Sequence, residues 1–165
     1  MSSNLEVRAA EPGEIDVLAK IWHDGWQDAH AELLPVDLAR ARTLESFRER
    51  LQGAPAVRVV GPPGAPAGFC MIRDDELYQL YVSAPSRGSG VAAVLVADAE
   101  VRLVASGVQT AWLACAIGNE RAARFYEKCG WHRVGNMINH LDTPSGPFDL
   151  EVWRYEKRLG RPADG

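Results

Sequence analysis

The sequence predicts an α/β domain, and three observations carry the prediction. Residues 77–82 read Leu-Tyr-Gln-Leu-Tyr-Val, the aromatic, branched and aliphatic types that suit a pleated surface. Residues 91–105 are almost continuously Ala, Val and Leu, long enough for about four helical turns. Strand-like runs and segments of helical period alternate along the rest of the chain. With 165 residues and 47% hydrophobic composition, the chain has the size of one domain, residues 1–165, and can bury a substantial core.

Leu5 to Ala9 alternates as a short strand. Glu11-Pro12-Gly13-Glu14 then opens a helix, with Pro near its first position and acidic residues in its first turn, where the helix dipole favours them. Ile15, Leu18, Ala19, Trp22 and Trp26 recur at helical spacing and form one face. A second helix is expected from Pro35 to Leu51, with a restart at Thr43 and with Leu44, Phe47 and Leu51 on a common side. Ala56 to Val60 and Ala67 to Ile72 are apolar runs joined by Gly61-Pro62-Pro63-Gly64-Ala65-Pro66, which no helix could traverse. They read as an antiparallel hairpin. Asp74-Asp75 turns the chain into the next strand, where period-two alternation puts Glu76, Tyr78, Leu80 and Val82 on one face.

The long helix, residues 88–106, stops at Gly107, which suits the left-handed position beyond a helix end. Gln109 to Ile117 is an apolar strand, and Asn119 can cap the following helix, which Gly130 ends. Residues 131–141 and 148–158 are strands joined by the turn-rich hexapeptide Asp142 to Pro147. Their polar residues on both faces place them at an end of the sheet.

Between strand and long helix lies the chemistry. Gly88 and Gly90 can take positive φ and carry no Cβ, so backbone N–H groups around them can converge on an anion at the helix start. A phosphate fits such a turn. The P-loop is excluded because no Lys follows Gly90. Gly88-Ser89-Gly90-Val91-Ala92-Ala93 satisfies the dinucleotide fingerprint G-x-G-x-x-G/A. That fingerprint also needs an acidic residue roughly 20 positions on, and none occurs from Val101 to Asn119.

Two motifs in this order resemble the GNAT acyl-CoA-dependent N-acetyltransferases. Arg87-Gly88-Ser89-Gly90-Val91-Ala92 is similar to the family's Gln/Arg-x-x-Gly-x-Gly/Ala loop and follows a strand that includes Leu-Tyr-Val. Asn119-Glu120-Arg121-Ala122-Ala123-Arg124-Phe125-Tyr126-Glu127-Lys128-Cys129-Gly130-Trp131 is similar to the signature Asn-x-x-Ala-x-x-Phe/Leu-Tyr-x-x-x-Gly-Phe, with Trp131 where Phe is usual. The resemblance is clear over residues 67–159. It implies the GNAT fold, a mixed twisted sheet of about seven strands with helices on both faces. It also implies acetyl-CoA as co-substrate.

By that resemblance the main chain of Leu80 and Val82 holds the pantetheine amides, and the N–H groups of Arg87, Gly88, Ser89, Gly90, Val91 and Ala92 hold the pyrophosphate. Asn119 and Tyr126 stand beside the cofactor. Acetyl transfer from a thioester to an amine needs a neutral amine, a stabilised oxyanion and a proton for the departing thiolate. Tyr126 matches the motif tyrosine that protonates the thiolate. A phenol of pKa about 10 stays protonated at neutral pH, and a core role beside Phe125 is the competing reading. The Val82 N–H is the implied oxyanion donor. Glu76 lies eleven residues before Arg87, a position from which some family members use a general base through water. A solvated carboxylate beside Asp74 and Asp75 is its alternative. Trp22, His23, Trp26, Asp28 and His30 gather where the first helices meet, the part of GNAT proteins that forms much of the acceptor pocket. Trp22 and Trp26 are expected to wall that pocket opposite Glu76, with core packing as the competing reading.

The implied activity is N-acetylation of a small-molecule or peptide amine by direct attack in a ternary complex. A non-catalytic acyl-CoA-binding module on the same fold is the alternative. A net charge of −4 with dispersed cations gives no nucleic-acid footprint. No metal motif is present. Cys70, Cys115 and Cys129 lack paired spacing and read as reduced core thiols. No apolar run of 18 residues predicts a membrane span, and a cytoplasmic location is expected. Strand pairing through the C-terminal hairpin would allow a homodimer.

Overall fold

A computed structural model describes residues 5–54 and 56–160. Seven strands form one mixed sheet in the order β1-β2-β3-β4-β5-β7-β6. They are β1 (Val7–Ala9), β2 (Arg58–Val60), β3 (Gly68–Arg73), β4 (Glu76–Val82), β5 (Thr110–Ala116), β6 (His132–Thr143) and β7 (Gly146–Arg158). Only β4 and β5 run parallel; every other neighbouring pair is antiparallel.

On one face, α1 (Ile15–His30), α2 (Val36–Ala41) and α3 (Leu44–Gln52) pack Leu18, Trp22, Leu38 and Phe47 against Val59, Phe69 and Met71 of the sheet. On the other, α4 (Val91–Ala105) and α5 (Glu120–Lys128) close over Cys70, Leu77, Leu113 and Tyr155 through Leu95, Ala99, Leu103 and Ala123. The expected restart at Thr43 divides the second helical segment into α2 and α3, because the Thr43 hydroxyl accepts from the Ser46 N–H at 3.1 Å and caps a new helix.

Two expectations are corrected. The C-terminal hairpin runs further than the turn-rich hexapeptide suggested. Thr143 pairs with Gly146, leaving a two-residue turn of Pro144 and Ser145, and Gly146 takes φ 110° there. The common face assigned to Glu76, Tyr78, Leu80 and Val82 is broken by a β-bulge. Met71 pairs with Gln79 but Ile72 pairs with Leu77, so Tyr78 is an extra residue in β4. Leu77, Leu80 and Val82 therefore pack toward α4, whereas Tyr78 and Tyr81 pack toward α1. Glu76 pairs with Arg73, whose guanidinium lies 3.8 Å from the Tyr78 ring centre, so it shares the α1 face.

Candidate active site

β4 and β5 are paired at one position, Glu76 with Trp112, supported by the Trp112 N–H donating to Asp75 O at 3.1 Å. Beyond that point the strands part and a cleft of about 1090 Å³ opens. The Ser83 N–H donates to the O of Ala67, the residue before β3, at 2.8 Å. Alternation then turns the N–H of Tyr81 toward β3 as well, and it turns the N–H groups of Leu80 and Val82 toward the cleft. The gap thus presents a strand edge whose main-chain donors and acceptors have no partner strand.

At the end of β4, the chain passes through a turn of 3-10 helix, Ala84–Ser86, and enters α4. Gly88 and Gly90 take φ 81° and 93°. At Gly88 an added Cβ would meet nothing within 4 Å, so the left-handed backbone and not lack of space favours glycine. Arg87, Gly88, Gly90, Val91 and Ala92 line the cleft. Ser89 does not, because its hydroxyl donates back to Ser86 O. Arg87 is tied to α1 by an ion pair with Asp28 at 2.7 Å, and Arg121 of α5 approaches the same carboxylate at 3.6 Å.

Across the cleft, Asn119 caps α5 by accepting from the Ala122 N–H at 3.3 Å. Tyr126 also lines the gap, its ring 5.3 Å from Phe125 and 6.4 Å from Trp131. Burial raises its phenol well above the ordinary range, so it is protonated at any physiological pH. The Cys115 thiol beside it is pushed up to about 12 by burial and is no thiolate nucleophile.

The model of the GNAT acetyltransferase family matches residues 17–131. The chain belongs to the GNAT acetyltransferase family. Solved structures share the fold at low identity. A GCN5-related N-acetyltransferase of Rhodopseudomonas palustris gives a TM-score of 0.74 at 22% identity, over 96% of this chain and 98% of that one. YjaB of Escherichia coli, in its apo form, gives 0.71 at 22% identity over 97% and 100%. The PaiA N-acetyltransferase of Thermoplasma acidophilum, in complex with coenzyme A, gives 0.65 at 16% identity over 94% and 99%. No curated protein matches the sequence.

On the α1 side of this GNAT cleft stand Glu76, Trp22 and Trp26, with His30 beside Trp26 at 5.1 Å. Glu76 is 5% exposed, and burial raises its pKa, opposed by the Arg73 guanidinium at 3.2 Å. It is not the solvated carboxylate that its neighbours Asp74 and Asp75 suggested. Burial holds His30 down to about 4, so it is neutral. Trp22 and Trp26 are both lining and core: Trp22 is 1% exposed and packs on Phe47 at 4.9 Å and Phe69 at 5.5 Å. His23 and Asp28 do not line the cleft; His23 pairs outward with Asp24 at 3.1 Å.

Sequence reasoning missed Arg42, Arg50 and Tyr81, which line the same GNAT cleft. One sign was available for Arg50, which lies on the stripe of Phe47 and Leu51 where an apolar residue is expected. Among the described residues, no cluster of three His, Cys, Asp or Glu could hold a metal ion, and no helix is long and apolar enough to cross a membrane.

Proposed function

We propose that this GNAT domain transfers the acetyl group of acetyl-CoA to a primary amine of a small molecule or peptide, by direct attack in a ternary complex. One arrangement carries the reading. The unpaired edge of Leu80 and Val82, the glycine turn and the protonated Tyr126 all face a single continuous cleft. The residues present fit the cofactor: Leu80 and Val82 offer main-chain partners to pantetheine amides, and the N–H groups from Arg87 to Ala92 suit a pyrophosphate at the start of α4. Acetyl-CoA supplies the activated thioester.

The Val82 N–H, turned into the gap, donates to the developing oxyanion, as electrostatic stabilisation at an acyl centre requires. Tyr126 donates its proton to the departing thiolate. Glu76, whose carboxylate is made more basic by burial, accepts the amine's proton, directly or through water. Trp22 and Trp26 wall the acceptor side. Three unpaired thiols, Cys70, Cys115 and Cys129, accord with work in the cytoplasm.

The test is thiol release from acetyl-CoA against a panel of primary amines, with Tyr126→Phe alongside the parent. We expect kcat to fall by about 10²–10⁴ in the variant, with little change in KM for acetyl-CoA, since proton donation is made only in the transition state. A variant within twofold of the parent would remove Tyr126 from the chemistry. Binding of acetyl-CoA without thiol release for any amine would leave the domain an acyl-CoA-binding module.

A further inference from the structure

The α1 side of the cleft contains two cations that none of these steps uses. Arg50 of α3 lies with its guanidinium 4.3 Å from the Trp22 ring centre and donates to the Tyr78 hydroxyl at 2.9 Å. Arg42, at the end of α2, is only 6% exposed, and its one side-chain hydrogen bond among the described residues goes to the main-chain carbonyl of Asp142 at 3.2 Å. Neither guanidinium forms an ion pair with any described carboxylate. Glu49 and Asp142 line the same cleft without pairing to them, and Glu76 is engaged by Arg73.

In a chain with 22 acidic against 18 basic residues, two close arginines without a counter-ion run against the composition. Buried charge is costly unless paired, and like charges side by side raise that cost. The two groups are close enough that Arg50, after burial itself, is the largest influence lowering the Arg42 pKa. The guanidinium forks match an oxyanion in bidentate geometry. Arg50 also covers Trp22, so this ring receives a protein cation and is no free cradle for the ammonium group of an acceptor.

We propose that the acceptor is a small primary amine that also carries an oxyanion, in the simplest case a carboxylate, held by Arg42 and Arg50 while its amine faces the Val82 end of β4. The inference rests on the transferase reading and narrows it from any amine to an anionic one. The arginines act as specificity determinants: they bind the acid group and leave the reacting nitrogen free.

The experiment compares matched sets on the full chain with acetyl-CoA: α- and ω-amino acids, their neutral amides, the decarboxylated amines and the corresponding aminophosphonates. For each set the preference is the kcat/KM of the acid divided by that of the amide. The parent should favour the acid by about 10- to 100-fold, the range of a charge-assisted hydrogen-bond pair. Arg50→Gln should collapse that ratio toward one while KM for acetyl-CoA holds, and Arg50→Lys should restore part of it. Arg42→Lys, which keeps a charge at the buried position, should lower the ratio if Arg42→Gln fails to fold. Preference for aminophosphonates over amino acids would keep the oxyanion and identify it as the phosphonate type. Amides or decarboxylated amines used as well as the acids would overturn the inference and leave the transferase reading standing. If no amine is acetylated although acetyl-CoA binds, the transferase reading falls. Calorimetry of the amino-acid probes then decides the arginine site alone: binding lost in Arg50→Gln supports it, and absence of binding to the parent overturns it.

Discussion

Gly25 sits in the middle of α1, where helical propensity alone says that Ala should be better by about 0.8–1.0 kcal/mol. The packing says the opposite. A Cβ at position 25 would lie 2.6 Å from Cδ1 of Tyr81, 3.3 Å from Cε1 and 3.6 Å from Cγ, where ordinary contact begins near 3.4 Å. The ring cannot easily withdraw, because it stacks on Phe69 at 6.0 Å between centres and meets Trp22 at 6.4 Å. Overpacking of this kind costs about 1–3 kcal/mol, enough to outweigh the propensity gain. Gly25→Ala should therefore lose up to about 2 kcal/mol net, lowering Tm by up to about 8 °C in a domain of this size. Urea and thermal unfolding measure the loss. Because Tyr81 lines the acceptor side, KM for the amine should rise more than KM for acetyl-CoA. A variant more stable than the parent would show that Tyr81 yields freely, and the account of a rigid aromatic wall would fail.

Two further outcomes follow from the site. Gly90→Val forces a β-branched residue to φ 93° with its Cβ 3.3 Å from Leu5. It should weaken coenzyme A binding by about tenfold or more through loss of the N–H cradle; unchanged affinity in calorimetry, with folding checked by circular dichroism, would refute the phosphate turn. Glu76 has a folded pKa raised by burial, so the folded state keeps a proton that the unfolded chain, with a pKa of about 4.3, has lost. The stability it contributes is present below the unfolded value and is lost as pH rises through the folded one. Glu76→Gln should thus gain stability relative to the parent above that window and gain none at pH 4, while kcat/KM loses its acid limb. A pH-independent stability difference would place the carboxylate in water.

The order of elements and the glycine turn were legible because each is written locally: Gly88 and Gly90 through left-handed φ, Asn119 through a side chain that reaches its own helix start, Thr43 likewise. The family signature covers the same local stretches. The acceptor side was not legible, since it is built from packing. Arg42 follows the last residue of α2 and Arg50 lies on α3, and both reach the cleft only once α2 and α3 dock on α1. Strict alternation misassigned Leu80 and Val82 relative to Glu76, because the bulge at Tyr78 arises from pairing with β3. The C-terminal hairpin ran past its turn residues for a similar reason, as Asp142 finds Pro147 across the ladder.

That single extra residue gives β4 a change of parity. On its near side the strand counts odd residues toward α4, and past Tyr78 it counts even ones, so one strand directs a carboxylate to the acceptor half and apolar Leu80 and Val82 to the donor half. Removing Tyr78 would restore simple counting. With the glycine turn and Val82 held in place, its loss would leave Leu77 toward α4 and Glu76 beside Arg73, in the pairing that β3 already imposes, and would remove only the ring that lies under Arg73 and whose hydroxyl accepts from Arg50. The bulge therefore gives β4 one more side chain toward the acceptor half, Tyr78, while the carboxylate and the donor-side residues keep the faces that pairing with β3 assigns them.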